Sequence, residues 1–278
     1  MLAHNILVNP TSISASDRSI HYGDASFTSM YAENHNITLL SEHIQRLQDA
    51  CLGLDIKFTD WDELHRTLQS LVALQREPLA IKVIVTRGSG GRGYQPPEQQ
   101  TPICIISTHS AESMQAQGNV KLLMVSDICL PSHDKLEGLK HTNRLAQVLA
   151  KQEALNMHCD DVLMCDYRRH VIEASSANVF YKLDGCWYTP PLNSGGVKGL
   201  MRNAFLLYLQ DLGLFVNQAS HHIEQLCSAQ SILLSNAVKG VRQVDKLHYQ
   251  NADVLLTTDL GELIAPFLSS ILQVEQNV

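Results

Sequence analysis

LAIKVIVTRGSGGRGYQPP, residues 79–97, decides the fold class. Leu79–Thr86 is an apolar run rich in β-branched residues and reads as a strand. The turn after it, Gly88-Ser89-Gly90-Gly91-Arg92-Gly93, satisfies G-x-G-x-x-G. A dinucleotide site needs a helix directly behind that pattern, so that the helix N-terminus can face a pyrophosphate. Here Tyr94-Gln95-Pro96-Pro97 follows, and it cannot start that helix on time. An Arg-Gly repeat for RNA fails as well, because there is one short copy in an acidic chain. The stretch reads instead as a strand followed by a flexible loop that carries Arg87 and Arg92 toward an anionic substrate.

Outward from this stretch, helical and strand patterns alternate. Ser41 opens a helix with Ile44, Leu47, Cys51 and Leu54 on one face, and Asp60 with Glu63 forms a capping box ahead of Leu64, Leu68, Leu71 and Val72. Ile103–Ser107 is the next strand. The polar run Glu112–Asn119 marks a boundary, which gives a small α/β domain over 1–111, a linker over 112–119 and a larger domain over 120–278. In the larger part, Lys121–Ser126 and Val162–Asp166 read as strands around a helix from Thr142 to Asn156. A strand-rich stretch from His170 to Thr189 precedes a helix from Gly199 to Leu212, ended by Gly213. Ile232–Leu234 is a last short strand, and the apolar run Leu260–Val274 is an amphipathic helix. The fold class is α/β (α+β), two subdomains with a cleft expected between them.

The 278 residues are 45% hydrophobic and 18% charged, with a formal net charge of −7, so nothing draws the chain to nucleic acid or an anionic membrane surface. Seven cysteines stand far apart without C-x-x-C, which fits reduced thiols of a cytoplasmic protein better than a disulfide framework or zinc knuckle. The N-terminal stretch MLAHNILVNPTSISASDRS has no signal-peptide pattern. The thirteen histidines, His21, His141 and His221-His222 among them, show no metal-ligand spacing.

Five separated segments carry a more specific message: DRSIHYGDASF (Asp17–Phe27), HIQRL (His43–Leu47), LKHTNRL (Leu139–Leu145), EASSANVF (Glu173–Phe180) and GGVKGLMR (Gly195–Arg202). In this order and at these intervals they resemble the fold-type IV enzymes of pyridoxal 5′-phosphate (PLP), the class of branched-chain and D-amino acid aminotransferases. The resemblance covers about Asp17 to Val244. SEHIQRLQDAC (Ser41–Cys51), RGSGGRGY (Arg87–Tyr94) and KHTNRL (Lys140–Leu145) make the chain most similar to the aminodeoxychorismate lyase branch. The resemblance implies a barrel-like, strand-rich core in the larger domain, a homodimer, a small-molecule substrate and no metal. In that branch 4-amino-4-deoxychorismate gives 4-aminobenzoate and pyruvate; an aminotransferase of D-amino or branched-chain amino acids is the alternative.

The same resemblance assigns roles that the residue types can fill. Lys140 holds PLP covalently and moves a proton at the substrate carbon. Glu173 stands beside the pyridine nitrogen and keeps it protonated, and the small residues after it suggest packing against something flat. Arg46 pairs with the phosphate, capped also by the Val197 and Lys198 amides at a helix start. Relatives usually place threonine at the position of Lys198 and a hydroxyl at that of Ala237, which offers only its backbone N–H; either the phosphate is held with fewer hydroxyls, or Asn236 and Lys198 compensate. Thr28 and Ser29 stand where aminotransferases have a carboxylate and a glycine, and supply hydroxyls for a proton relay. Arg92 and Tyr94 in the loop, and Asn143 and Arg144 on the helix after Lys140, face substrate or the cofactor ring.

Overall fold

The computed structural model describes residues 5–131, 135–257 and 259–273. The chain divides into two compact units. The described residues of Met1–Ser113, Leu139–Asn143 and Gln273–Val278 form one, and those of Met114–Gly138 and Arg144–Leu272 the other.

In the first unit, β1 (Ile6–Val8), β2 (Ala25–Glu33), β3 (Asn36–Ile37), β4 (Leu79–Thr86) and β5 (Ile103–Ser110) form one sheet in the order β1-β5-β4-β2-β3. Helices α1 (Arg18–Tyr22), α2 (Leu40–Gly53) and α3 (Trp61–Val72) accompany it. Side chains alternate along a strand, so Met30, Ala32, Ile81, Val83 and Val85 share one face. Leu47 and Cys51 of α2 and Leu64 and Leu68 of α3 close over it as a single apolar core. Two expected caps are absent. Leu39, in the left-handed region at φ 57°, precedes α2 without a side-chain cap, which leaves Ser41 inside the first turn. Asp60 precedes α3, but its carboxylate accepts from the Asn5 amide rather than from its own helix.

In the second unit, β6 (Leu123–Cys129), α4 (Leu145–Asn156), β7 (Asp161–Cys165) and β8 (Val171–Ala174) lead into β9 (Asn178–Leu183) and β10 (Cys186–Thr189). After them come α5 (Leu200–Asp211), β11 (Val216–Gln218), β12 (Ser231–Asn236), β13 (Gly240–Gln243), β14 (Lys246–Tyr249), β15 (Ala252–Leu255) and α6 (Gly261–Gln273). The strands make two five-stranded sheets, β15-β14-β6-β7-β8 and β11-β10-β9-β12-β13. Leu123, Leu163 and Leu247 of one meet Val179, Tyr181, Ile232 and Leu234 of the other in a shared core, the barrel-like heart of this unit. The opposite face of β9 carries Phe180, whose ring lies 5.3 Å from that of Phe205 on α5, itself 5.0 Å from Phe267 on α6. Among the described residues no helix is long and apolar enough to cross a membrane.

Candidate active site

Lys140 does not sit beside a helix. The helix expected from Thr142 begins only at Leu145, with Arg144 as its N-cap, and residues 139–143 run instead along β2. Phe27 donates its N–H to the Lys140 carbonyl at 2.9 Å, Thr142 donates to the Ala25 carbonyl at 3.0 Å, and the Ser26 hydroxyl adds a bond of 3.2 Å to the same Lys140 carbonyl. The strand edge thus fixes the lysine backbone, because its bonds are the obligatory backbone pairings of that edge. The Lys140 amine lies 4.6 Å from the centre of the Phe27 ring, a cation held on an aromatic face. Asn143 clasps the turn ahead of β2, giving its amide N–H to the Gly23 carbonyl at 3.0 Å. Gly23 has φ +62°, and a Cβ there would stand 2.3 Å from the Asn143 Oδ1. Asn143 is therefore a strut of this turn, and neither it nor Arg144 lies inside a helix.

Thr28 and Ser29 do not act from one place, because successive side chains of a strand point to opposite faces. Ser29 shares the face of Phe27, whose ring carries Lys140, and pairs across the sheet with Lys82. Thr28 turns toward the helices, fully buried, and its Oγ1 lies 2.6 Å from Nδ1 of the equally buried His43. His43 Nε2 has no hydrogen-bond partner. Burial, with the positive charges of Arg46 and Lys140 nearby, holds the His43 imidazole well below its usual pKa, so it is neutral. Arg46 follows three residues later on the same stretch of α2. Burial lowers its pKa to about 10, which leaves it charged at neutral pH.

The second unit gathers its own groups. Glu173 on β8 is 5% exposed, and its Oε2 accepts the Val197 N–H at 2.8 Å. Beside it, a Cβ on Gly196 would come within 3.5 Å of Glu173 Oε2 and 3.3 Å of Ile172 Cγ2, so the Gly196 backbone packs closely along this side. Arg144 has its pKa lowered by burial, against the attraction of Glu173. The two expected phosphate caps are otherwise engaged. The Val197 amide serves Glu173, and the Lys198 amide donates to the Gly138 carbonyl at 3.2 Å. Donors at the start of α5 begin further on, since Gly199 is its N-cap and a helix leaves its first amides without intrahelical partners. Asn178 on β9 gives its amide N–H to the Val197 carbonyl at 2.9 Å and so ties this helix start to the sheet.

Asn236 closes the turn between β12 and β13, where its Oδ1 accepts from the Val238 and Lys239 amides at 3.0 and 2.7 Å while its Nδ2 donates to the Ser176 carbonyl. It is thereby spent as a compensating ligand. Ala237 lies half-buried in the same turn. The small run after Glu173 also has a local reason: Ala174 donates to the Ala177 carbonyl at 2.7 Å in a tight β8–β9 turn, with Ser175 bonded to the Asp161 carboxylate.

The glycine-rich loop separates its two arginines. Arg87 is 6% exposed and consumed, with two bonds to the Asp24 carboxylate and two to the carbonyls of Leu54 and Asp55. It does not face substrate. Arg92 and Tyr94 are exposed, and the loop bearing them is not slack. Buried Arg18 donates to the carbonyls of Gly90, Gly93, Tyr94 and Gln95 at 3.1–3.3 Å and binds Asp24 at 2.8 Å. Arg18, His43 and Gly196 are the residues that motif reading passed over. All three lie within or beside the quoted segments, but their partners are distant in sequence.

The residues from β2 to β14 carry a family signature. The chain matches the amino-transferase class IV model over residues 25–247 and belongs to that family. It is 34% identical over 236 residues to an aminodeoxychorismate lyase of Vibrio harveyi, covering 84% of this chain and 87% of that one. A crystal structure of 4-amino-4-deoxychorismate lyase from Pseudomonas aeruginosa superposes with a TM-score of 0.80 at 29% identity, covering 97% of both chains. A branched-chain amino acid aminotransferase of Escherichia coli, 19% identical and covering 94% of this chain and 88% of its own, shares the fold at a TM-score of 0.81.

Proposed function

We propose that the chain is a PLP-dependent carbon–oxygen lyase that converts 4-amino-4-deoxychorismate to 4-aminobenzoate and pyruvate, a step of folate synthesis, as a cytoplasmic homodimer. The observation that carries the reading is Lys140, an amine held over Phe27 by a backbone bonded to β2, in a chain like two lyases over most of its length. The residues fit the cofactor: Glu173 is a buried carboxylate, with Gly196 packed beside it. Bound PLP supplies an electron-accepting ring for the charge left at the substrate carbon.

Lys140 would hold PLP through its amine, and the same amine, when free, would take the proton from C4 of the substrate. Glu173 would keep a proton on the pyridine nitrogen, and Arg46 would pair with the phosphate. The C3–O bond then breaks with its electron pair on oxygen, and the methylene carbon of the departing enolpyruvate takes a proton. Ser29 is the hydroxyl for that last transfer, since it shares a strand face with Phe27 and Thr28 does not. Arg92 and Tyr94 receive a substrate carboxylate.

The test is to supply the holoenzyme with chorismate, glutamine and an aminodeoxychorismate synthase and to measure the products. Equal amounts of 4-aminobenzoate and pyruvate support the lyase. Their absence, with turnover of D-alanine and 2-oxoglutarate instead, replaces it by the aminotransferase. Borohydride reduction must leave the cofactor mass on the Lys140 peptide in either case.

A further inference from the structure

The phosphate site as read from the sequence lacks two hydroxyls, and Asn236 does not make up for them. One residue on the same strand is placed differently. Ser235 is 1% exposed, and its Oγ has no hydrogen-bond partner among the described residues. A buried hydroxyl left unsatisfied is costly and calls for an explanation.

Strand register says where the hydroxyl points. Ser235 of β12 stands directly opposite Asn178 of β9 in the antiparallel ladder. Directly opposed residues project to the same face with their Cβ atoms about 4.5–5.5 Å apart. The Asn178 side chain reaches the start of α5, where it bonds the Val197 carbonyl at 2.9 Å and where its Oδ1 would lie 1.8 Å from a Cβ on Gly199. Ser235 therefore projects beside Asn178 toward the N-terminal end of a twelve-residue helix, whose first amides favour an anion. An unpartnered donor, fully buried, next to a helix start that attracts negative charge is half of an anion site.

We infer that Ser235 is the hydroxyl ligand of the PLP phosphate, taking over the contact that Ala237 cannot make. The inference rests on the reading of the chain as a PLP enzyme. It also gives the orphaned hydroxyl a cost in the apoprotein that the cofactor removes.

The experiment uses Ser235→Ala and Ser235→Thr with PLP and with pyridoxal, which lacks the phosphate. Ser235→Ala should raise the melting temperature of the apoprotein, because it deletes an unsatisfied polar atom. It should also weaken PLP binding about tenfold or more, the scale of a hydrogen bond to a charged group, and leave pyridoxal binding unchanged. The ³¹P resonance of bound PLP should shift in the alanine variant, and Ser235→Thr, which restores a hydroxyl, should return it toward the wild-type position. A purely structural serine would lower apoprotein stability and disturb pyridoxal and PLP alike, and that outcome overturns the inference, as does unchanged PLP affinity. If the wild-type protein itself fails to bind PLP, the cofactor reading falls first and the two failures are told apart.

Discussion

Gly199→Ala tests how tightly the start of α5 is built. The backbone at Gly199 has φ −67°, so alanine meets no conformational penalty there. The obstacle is Asn178: the new Cβ would lie 1.8 Å from its Oδ1, 3.0 Å from its Cγ and 3.2 Å from the Arg202 Cβ. To restore even 3.0 Å, the amide oxygen must retreat by 3.0 minus 1.8, or 1.2 Å. Asn178 is 8% exposed on the middle strand of its sheet and cannot swing into solvent. Its bond to the Val197 carbonyl is then lost, at about 1–3 kcal/mol for a buried amide left unpaired. Crowding costs another ~1–3 kcal/mol, and about 0.4–1 kcal/mol returns through the stiffer unfolded chain. The net loss should be about 1–6 kcal/mol, seen as a fall in Tm of roughly 2–4 °C for each kcal/mol. If the start of α5 holds the PLP phosphate as proposed, the holoenzyme should also release PLP faster. Asn178→Ala removes the obstacle, so the double variant should be no less stable than Asn178→Ala alone. A loss under about 0.5 kcal/mol for Gly199→Ala, the range of an indifferent surface change, or additivity in the double variant, would refute the argument.

Lys140→Ala should abolish covalent cofactor and turnover while far-UV circular dichroism stays unchanged, since Lys140 accepts the β2 hydrogen bonds through its backbone carbonyl; retained turnover would remove the lysine from the mechanism. Arg46→Ala should weaken PLP binding by about 1.5–3 kcal/mol in apoenzyme titrations, and equal affinity would make it a packing residue. Arg18→Met should raise KM more than it lowers kcat, and limited proteolysis should cut within Gly88–Gln95, because four carbonyls of that loop lose their common donor. Asp24 gives a pH dependence. Burial alone would raise its pKa, but bonds from Arg87 and Arg18 outweigh burial and lower it. That stability is present above the unfolded carboxylate value of about 3.9 and is lost as pH falls through the folded one. Asp24→Asn should therefore be less stable than wild type at pH 7, with the gap narrowing below about pH 4; parallel acid-denaturation curves would contradict it.

What the sequence disclosed and what it withheld divide along contact range. β4 is delimited by its own residues, and the end of α5 by Gly213, because strand composition and helix stops are local signals. Ser29 could also have been separated from Thr28 by the period of a strand alone. Arg87 could not have been set apart from Arg92 in this way. The two share a loop in sequence, and Asp24 with the carbonyls of Leu54 and Asp55, brought beside Arg87 by the fold, takes one of them out of service. The start of α4 was misplaced for a similar reason, since Thr142 and Asn143 answer to carbonyls of Gly23 and Ala25, over a hundred positions earlier. His43 and Ser235 were legible as letters but not as orphans, because an unsatisfied atom is defined by everything that fails to reach it.

The lysine segment also sets a timetable for synthesis. Residues 139–143 complete the sheet that begins before residue 113, yet they are translated later, inside the sequence of the other unit. A ribosome adding about 5–20 residues per second needs roughly 1.5–6 s to cross that interval of thirty residues. Throughout it, the edge of β2 at Ala25–Phe27 has its core but not its last partner, and an open edge is a template for pairing with another chain. The nascent first unit therefore waits for the segment of Lys140 to seal it. Ribosome-associated chaperones have their reason to engage in that window, and a chain truncated anywhere between 113 and 139 should be more prone to aggregate than one that ends just past 143.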